Sequence, residues 1–292
     1  MQRLSLAEKI ADIEPMKNIR FSWPDGKRGA LTSSWDDGTE YDRRLIAIFN
    51  EHGIKGSFYL NSGALGKTAA QSGWKNYVTA DEVATLYRGQ EVGSHTVTHP
   101  HLWQIPGATL RWEFTEDRRR LEALVGYPMR GAVMPFGWES GLDIMADQLG
   151  GLGFRYVRRT QLTDRFEHPA DFLRWRPTAH CSADLSALWA RYVVELARLP
   201  GTLLNLWGHS YEFEDRQEWA KVEAWARAVG ETAGVWHATQ GEVYDYVTAW
   251  RNLAWSVAGD VVYNASATTV FFSYDTKLLS VAPGQTLACE TA

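Results

Sequence analysis

The sequence predicts an α/β protein with a mainly parallel sheet, either open or closed into a barrel. Short apolar runs alternate with helical patterns from about residue 30 to residue 253, and this order is typical of βα units. Apolar residues make up 45% of the 292 residues and charged residues 22%, which is ordinary for a globular protein. No apolar stretch approaches the roughly 18 residues of a membrane-spanning helix, so no membrane partner is expected.

The elements can be placed one by one along this stretch. Each predicted strand is a short apolar run, and each predicted helix has apolar residues at helical spacing. The predicted strands cover residues 30–35, 56–60, 91–94, 131–134, 154–157, 172–175, 202–207 and 235–238. The predicted helices cover residues 41–52, 80–88, 108–125, 142–149, 184–199, 216–229 and 242–253. Parallel sheets place their sites at the carboxyl ends of strands, so residues that directly follow a strand matter most.

The two ends of the chain differ from this middle part. Residues 1–28 form a polar N-terminal extension, in which Pro24, Asp25 and Gly26 indicate a turn. Residues 254–292 contain short β-rich runs and turn signals without a helical pattern, which predicts a small antiparallel appendage. The predicted domains are therefore 1–28, a barrel over 29–253, and 254–292. The appendage either covers a sheet edge or binds a ligand.

Charge and composition narrow the class of function. The net charge of −5 argues against a nucleic-acid partner, which would need a basic face. The 14 Trp residues suit stacking on sugar rings, although most Trp residues in any fold belong to the core. Only two cysteines are present, and their spacing indicates neither a disulfide framework nor a thiolate metal site. The N-terminus lacks the apolar region of a signal peptide, so a cytoplasmic protein is expected. Nothing predicts the oligomeric state.

Two adjacent carboxylates follow the first predicted strand. Asp36 and Asp37 stand directly before Gly38, whose conformational freedom permits the chain to turn there. In a regular strand the two side chains would point to opposite faces, so a shared site requires the chain to leave the pleat. Such a pair offers one metal ligand and one general base. The alternative is a solvated turn that caps the helix over 41–52.

A histidine pair follows the strand over 91–94. His95 and His99 have the His-x-x-x-His spacing, which brings two imidazoles together if the segment forms one helical turn. With one carboxylate they form the three-ligand set of a hydrolytic metal site that keeps an open position. The alternative is two unrelated loop histidines.

A further histidine follows the strand over 202–207. His209 is the best candidate for the proton donor that a reaction expelling an amine or an alkoxide requires. The alternative is a structural histidine with satisfied hydrogen bonds.

These motifs resemble those of the NodB-type polysaccharide deacetylases, the family 4 carbohydrate esterases. Ser34-Trp35-Asp36-Asp37-Gly38 resembles the Thr-Phe-Asp-Asp-Gly motif of that family, and His95-Thr-Val-Thr-His99 resembles its His-Ser/Thr-x-x-His motif. Met134-Pro-Phe-Gly137 resembles the end of the third motif, Arg-Pro-Pro-Tyr-Gly, and Trp207-Gly-His209 resembles the fifth, Leu-x-His. The resemblance runs from about residue 29 to residue 250, and a bacterial branch of the family is similar in its β-rich tail as well.

The resemblance implies a distorted (β/α)7-type barrel and metal-dependent removal of N- or O-linked acetyl groups from a carbohydrate. It assigns the metal ligands to Asp37, His95 and His99, the general base to Asp36 and the general acid to His209. Zinc is the metal that the resemblance implies first, and cobalt, nickel or manganese would also suit the ligand set. The implied partner is an acetylated carbohydrate.

The resemblance also predicts the surroundings of these residues. The backbone N–H of Phe136 is expected to stabilise the oxyanion. Trp35 and Trp207, which flank the motifs, are expected to line a sugar cleft, and the alternative for each is a place in the core. The third-motif arginine, which pairs with the base in the family, aligns with Val133. Its charge must then come from elsewhere or be absent. The candidates are Arg130, Arg174 and Arg176, of which Arg176 is preferred as a site residue. A carboxylate, either Glu212 or Asp143, is expected to hold the proton of His209.

Two other functions stay open on the sequence alone. One is a metal-dependent amidohydrolase that acts on a small non-sugar amide. The other is a sugar-binding protein with an inactive site, although a pure binding protein has no need of a general base.

Overall fold

The computed structural model describes residues 18–137 and 142–289. Lys27–Val247 forms one compact unit, and the described residues on either side of it form another. Most of the predicted N-terminal extension, residues 1–17, lies outside the described part, as do residues 290–292. The predicted domain boundaries at residues 28 and 253 stay a prediction. None of the helices among the described residues is both long and apolar enough to cross a lipid bilayer.

Strands and helices alternate in the larger unit, and strands dominate the smaller one. The strands are β1 Ile19–Ser22, β2 Gly29–Asp37, β3 Ser57–Leu60, β4 Glu91–Ser94, β5 Gly131–Val133, β6 Tyr156–Arg158, β7 Ala179–His180, β8 Thr202–Gly208, β9 Val235–His237, β10 Ala254–Trp255, β11 Val261–Tyr263, β12 Val270–Tyr274, β13 Lys277–Val281 and β14 Thr286–Ala288. The α-helices are α1 Asp42–Glu51, α2 Ala69–Ser72, α3 Ala80–Leu86, α4 Gly107–Val125, α5 Leu142–Gly151, α6 Leu185–Arg198, α7 Tyr211–Asp215, α8 Trp219–Gly230 and α9 Gln240–Arg251.

The larger unit is built on a parallel sheet with the strand order β6-β5-β4-β3-β2-β8-β7. The eighth strand, β9, pairs with the first residues of β2, Gly29–Leu31, whereas β3 pairs with its last residues, Ser34–Asp37. All nine residues of β2 are buried, because this central strand is covered on both faces. The prediction of an α/β protein with a distorted barrel is therefore confirmed.

One predicted strand is wrong. Residues 172–175 form a short 3-10 turn, Phe172–Arg174, and only Trp175 makes a parallel bridge, with Arg158. After Pro177, which has no N–H to donate to a neighbouring strand, β7 pairs with β8 and not with β6. The apolar run is explained by burial of Phe172 and Trp175, not by sheet pairing.

The smaller unit is antiparallel, as the β-rich sequence after residue 254 predicts. Its two three-stranded sheets have the orders β1-β12-β13 and β10-β11-β14. The strand β1, from the polar N-terminal part of the chain, pairs with β12 in the register Ile19 to Tyr274. Alternating residues of β12 are buried: Val270, Phe272 and Tyr274. This period of two is expected for a strand with one covered face.

Candidate active site

The adjacent carboxylates lie at the carboxyl end of the central strand β2. Asp37 has a φ of 79° and Gly38 a φ of 70°, so the chain leaves the pleat at these two residues. Both Asp36 and Asp37 line one cavity, which a regular strand would not allow. The structure thus brings the two carboxylates to the same site by a left-handed turn.

The histidine pair lies on the loop that follows β4. This loop does not form the helical turn that the spacing suggested, because Thr96 and His99 both have a positive φ, 72° and 55°. The amide of Asn61 donates to the backbone carbonyls of His95 and Thr96 at 2.5 and 3.0 Å. The Thr96 hydroxyl accepts the backbone N–H of His99 at 3.1 Å. The two imidazoles meet because the loop backbone doubles back, not because they share a helix face.

One side-chain atom each of Asp37, His95 and His99 converge in the cavity. The Nε2 atoms of His95 and His99 are 3.1 Å apart, and they lie 3.5 and 3.4 Å from Oδ1 of Asp37. The Nδ1 atom of His95 lies 3.0 Å from the carbonyl oxygen of Val133, which fixes its proton on Nδ1 and leaves the Nε2 lone pair available. Two imidazoles and one carboxylate on a shared centre form a donor set that suits a divalent ion such as zinc.

Two of the three donors, Asp37 and His99, are deprotonated at neutral pH. Burial raises the pKa of Asp37, but the hydrogen bond with His95 and the charges of the histidines outweigh it and lower that pKa to about 2. Burial, with the charge of His95, lowers the pKa of His99 to about 4. Burial also lowers the pKa of His95, but its bond with Asp37 and the two aspartate charges raise it above its ordinary value. A metal ion held by this set would therefore have to compete with a proton mainly at His95.

Asp36 is held by an arginine that the sequence analysis did not select. Arg158, at the end of β6, donates through Nη2 to Oδ2 of Asp36, and both side chains are buried. The guanidinium carbon of Arg158 also lies 4.3 Å from the centre of the Trp207 ring. The other carboxylate oxygen of Asp36, Oδ1, is buried and has no hydrogen-bond partner among the described residues. One oxygen is thus anchored and the other is available for a proton.

The three arginines predicted for this role lie elsewhere. Arg130 pairs with Asp245 at 2.6 Å. Arg174 forms ion pairs with three aspartates, at 2.7 Å from Asp147 and Asp171 and at 3.1 Å from Asp143. Arg176, the preferred candidate, is exposed, does not line the cavity, and donates to the carbonyl oxygen of Leu162 at 2.7 Å. Arg130 and Arg176 lie on loops and Arg174 ends a short 3-10 turn. The direction of each depends on tertiary packing, so spacing alone could not choose among them.

His209 faces Asp37 across the cavity. Its Nδ1 lies 2.6 Å from Oε1 of Glu212, and its Nε2 lies 3.9 Å from Oδ2 of Asp37. Burial lowers the pKa of His209, but the hydrogen bond with Glu212 and the charges of Asp36 and Asp37 raise it above its ordinary value. The structure therefore selects Glu212 over Asp143, whose carboxylate pairs with Arg159 and Arg174 instead.

Glu212 itself contacts a second histidine and an arginine. His180 Nε2 lies 3.1 Å from the same oxygen that faces His209, and Arg216 donates to the other oxygen. Burial raises the pKa of Glu212, but the bonds with His180 and His209 hold it well below its ordinary value. Glu212 therefore stays ionised and orients the His209 ring.

The cavity around these groups has a volume of about 610 Å³ and largely aromatic walls. The aromatic side chains that line it are Trp74, Tyr77, Phe136, Trp207 and Tyr211. Phe136 has a φ of 62° and is 53% exposed, and its ring packs edge-on against His99 at 4.5 Å. None of the described residues that line the cavity is a lysine or an arginine.

Trp35, predicted to line the sugar cleft, lies in the core instead. It is 0% exposed and packs against Phe49 and Phe213 with ring centres 5.8 and 5.7 Å apart. Its neighbours Asp36 and Asp37 line the cavity, but Trp35 precedes the turn and its ring lies among buried apolar side chains. Trp207, by contrast, does line the cavity.

Several residues that line the cavity or contact its lining were not selected from the sequence. Arg158 directly follows the predicted strand over 154–157, and this position at a strand end could have marked it as a site residue. Tyr211 stands two residues after His209. Trp74 and Tyr77 lie on the long connection between β3 and β4, where no local pattern marks them.

Comparisons with known proteins show which family this chain resembles. Residues 24–157 match the family described as polysaccharide deacetylase. A chitin deacetylase from Pestalotiopsis sp is 26% identical over 145 residues, which cover 49% of this chain. The chain matches only 44% of the length of that relative. The resemblance read from the motifs is thereby confirmed.

Solved structures share the fold at low sequence identity. A protein from Mycobacterium smegmatis that is assigned to the polysaccharide deacetylases has a TM-score of 0.59 and 18% identity, over 82% of this chain and 96% of its own. The Puue allantoinase has a TM-score of 0.56 and 14% identity, over 76% of this chain and 91% of its own. At this level of identity the likeness shows a common fold.

Proposed function

We propose that this chain, which has the fold and the motifs of the polysaccharide deacetylases, is a metal-dependent hydrolase that removes acetyl groups from a carbohydrate. One observation carries the proposal. The ligand set Asp37, His95 and His99 converges in a cavity whose other polar side chains include Asp36 and His209, which suit a general base and a general acid. These three residues would hold a divalent metal, zinc first among the candidates, which would act as a Lewis acid and lower the pKa of the attacking water.

Asp36 acts as the general base. Its anchored oxygen keeps the carboxylate in place through Arg158, and its partnerless Oδ1 accepts the proton of the water. The water oxygen forms a bond to the acetyl carbonyl carbon while that proton moves to Asp36. The backbone N–H of Phe136, presented by a left-handed residue of the cavity wall, donates to the developing oxyanion.

His209 acts as the general acid. Its raised pKa keeps a proton on the ring, and Glu212 holds Nδ1 so that Nε2 faces the cavity. Cleavage of the C–N or C–O bond transfers the Nε2 proton to the leaving nitrogen or oxygen. The products are acetate and the free amine or hydroxyl of the sugar.

The cavity walls suit a sugar substrate that carries no charged group. Aromatic faces stack on the C–H faces of sugar rings, and five aromatic side chains line the cavity. An anionic substrate would find no lysine or arginine among the described residues of the cavity lining. A neutral acetylated sugar therefore suits the cavity better than a uronate or a phosphorylated sugar.

Acetate release with and without a chelator tests the proposal. The purified protein is given acetylated chito-oligosaccharides, O-acetylated oligosaccharides and a panel of small non-sugar amides. We expect acetate from the sugars only, loss of turnover with the chelator, and recovery when zinc, cobalt, nickel or manganese is restored singly. Turnover of the small amides alone would identify an amidohydrolase, and sugar binding without acetate release would identify a binding protein.

A further inference from the structure

We propose that Glu113 and Asp117 are positioning residues that hold the loop over residues 94–99 in the shape that brings His95 and His99 together. This inference rests on the proposed function, because these two histidines are ligands of the proposed metal site. Neither acidic residue lines the cavity, so neither touches the substrate. Their effect is exerted through the backbone of the loop.

Both residues lie on one face of the helix α4, one turn apart, and both are buried. Glu113 is 3% exposed and Asp117 is 0% exposed, which is rare for carboxylates unless they are hydrogen-bonded. Four residues separate them, and residues at that spacing share a helix face. The helix therefore presents two acceptors side by side to the loop.

Asp117 accepts three hydrogen bonds. Its Oδ2 accepts from the Ser94 hydroxyl at 2.6 Å and from the backbone N–H of His95 at 3.2 Å. Its Oδ1 accepts from the backbone N–H of Ser62 at 2.8 Å. The residue thus ties the start of the histidine loop to the neighbouring loop after β3.

Glu113 holds the other end of the same loop. Its Oε2 accepts from the backbone N–H of Thr98 at 2.9 Å, and its Oε1 accepts from the Thr98 hydroxyl at 2.7 Å. Thr98 directly precedes His99. One acceptor is therefore placed beside each metal-ligating histidine.

The loop needs this support because its backbone is strained. Thr96 and His99 are both in the left-handed region, where a residue with a Cβ is strained. Charge-assisted hydrogen bonds to carboxylates are roughly twice as strong as neutral ones, and here they act within a buried site. The two carboxylates thereby offset the strain and shape the loop before a metal ion binds.

The chemistry of the two contacts predicts different responses to conservative substitution. In Glu113→Gln the amide oxygen accepts from the Thr98 N–H while the amide NH₂ donates to the Thr98 hydroxyl, which also accepts. Both bonds survive. In Asp117→Asn the NH₂ group takes the place of either Oδ1 or Oδ2. It then faces the backbone N–H of Ser62 in the first case and that of His95 in the second, and a backbone N–H cannot accept a hydrogen bond. One bond is then lost.

Zinc affinity is the measurement, and competition with a chromophoric chelator gives the dissociation constant. We compare the wild type with Asp117→Asn, Glu113→Ala and Glu113→Gln, at a temperature where thermal unfolding shows each metal-free protein folded. The matched control is Glu116→Gln on the same helix, whose side chain pairs with Arg119 and Arg120. We expect Asp117→Asn and Glu113→Ala to bind zinc about 10- to 100-fold more weakly. Glu113→Gln and Glu116→Gln should bind as the wild type does.

The outcomes separate this inference from the proposed function. Failure of the wild type to bind zinc would overturn the proposed metal site itself. Wild-type affinity in Asp117→Asn, or equal loss in Glu113→Gln and Glu113→Ala, would overturn the positioning role alone. If Asp117→Asn does not fold, the contrast between the two Glu113 variants decides.

Discussion

Arg158 and Asp36 form a buried ion pair between two strands that are not neighbours in the sheet. In the family motif the arginine stands at the position of Val133, on β5. Val133 is the register partner of Arg158 on β6. The positive charge that pairs with Asp36 therefore lies at the same level of the sheet, on the neighbouring strand. The long side chain then reaches Asp36 across the barrel and packs on Trp207 on its way.

Removing the cation should impair the base. In Arg158→Met the Asp36 carboxylate is left buried without its partner, which costs about 3–5 kcal/mol of stability and removes the anchor of the proposed base. We expect slower acetate release, together with lower thermal stability. Acetate release across a pH series and thermal unfolding check this. Arg176→Met is the matched control, since Arg176 lies outside the cavity lining, and its turnover and stability should equal those of the wild type.

The two adjacent carboxylates should have separable roles. Asp36→Asn removes the proton acceptor and keeps the ligand set, so turnover should fall about 10²- to 10⁴-fold while bound metal is retained. Asp37→Ala should lose the metal as well, since it deletes one of the three converging ligands. Metal content by mass spectrometry beside acetate release distinguishes them. Wild-type turnover in Asp36→Asn would show that another group is the base.

Glu212 should set the basic limb of the pH profile. Its hydrogen bond raises the pKa of His209, and an acid catalyst is active only while it is protonated. Activity is lost as pH rises through that pKa, so Glu212→Gln, which lowers the pKa, should move the basic limb to lower pH. The same pH series measures it. Asp143→Asn, which changes a carboxylate 71% exposed and paired elsewhere, should leave the limb in place, and an unmoved limb in Glu212→Gln would refute the assignment.

Asp42 should make stability depend on pH. Burial raises the pKa of this carboxyl from 3.8 to about 7, although Ser210 and Tyr87 donate hydrogen bonds to it. The folded protein holds this proton more tightly than the unfolded chain does. The stabilisation is therefore complete below about pH 4 and is lost as the pH rises to about 7, by up to roughly 1.4 kcal/mol for each unit.

Asparagine at this position imitates the protonated acid, because its amide can accept from Tyr87 and donate to Ser210. Asp42→Asn should thus flatten the pH dependence of the free energy of unfolding across this window. Urea denaturation of the metal-free protein at several pH values provides the comparison with the wild type. Parallel curves for the two proteins would show that Asp42 does not titrate there.

Much of the fold follows from local patterns. Alternating apolar runs and helical spacing predict the βα order, and the turn-rich tail predicts antiparallel strands, because both depend on residues close in the chain. The prediction of a strand over 172–175 was wrong for the same reason. Phe172 and Trp175 are apolar because they are buried, and only the folded protein shows that this segment forms a 3-10 turn and not a strand.

The sequence by itself determined which residue types follow the strand ends, so Asp36, Asp37, His95, His99 and His209 could be selected as one candidate set. Parallel strands bring their carboxyl ends to one edge whatever their order. Only the tertiary structure decided that Arg158 holds Asp36, that Glu212 holds His209 and that Trp35 points into the core. Those relationships depend on which strands are adjacent and on how packing directs the side chains. Both are set by contacts between residues far apart in the chain, so no local sequence pattern reveals them.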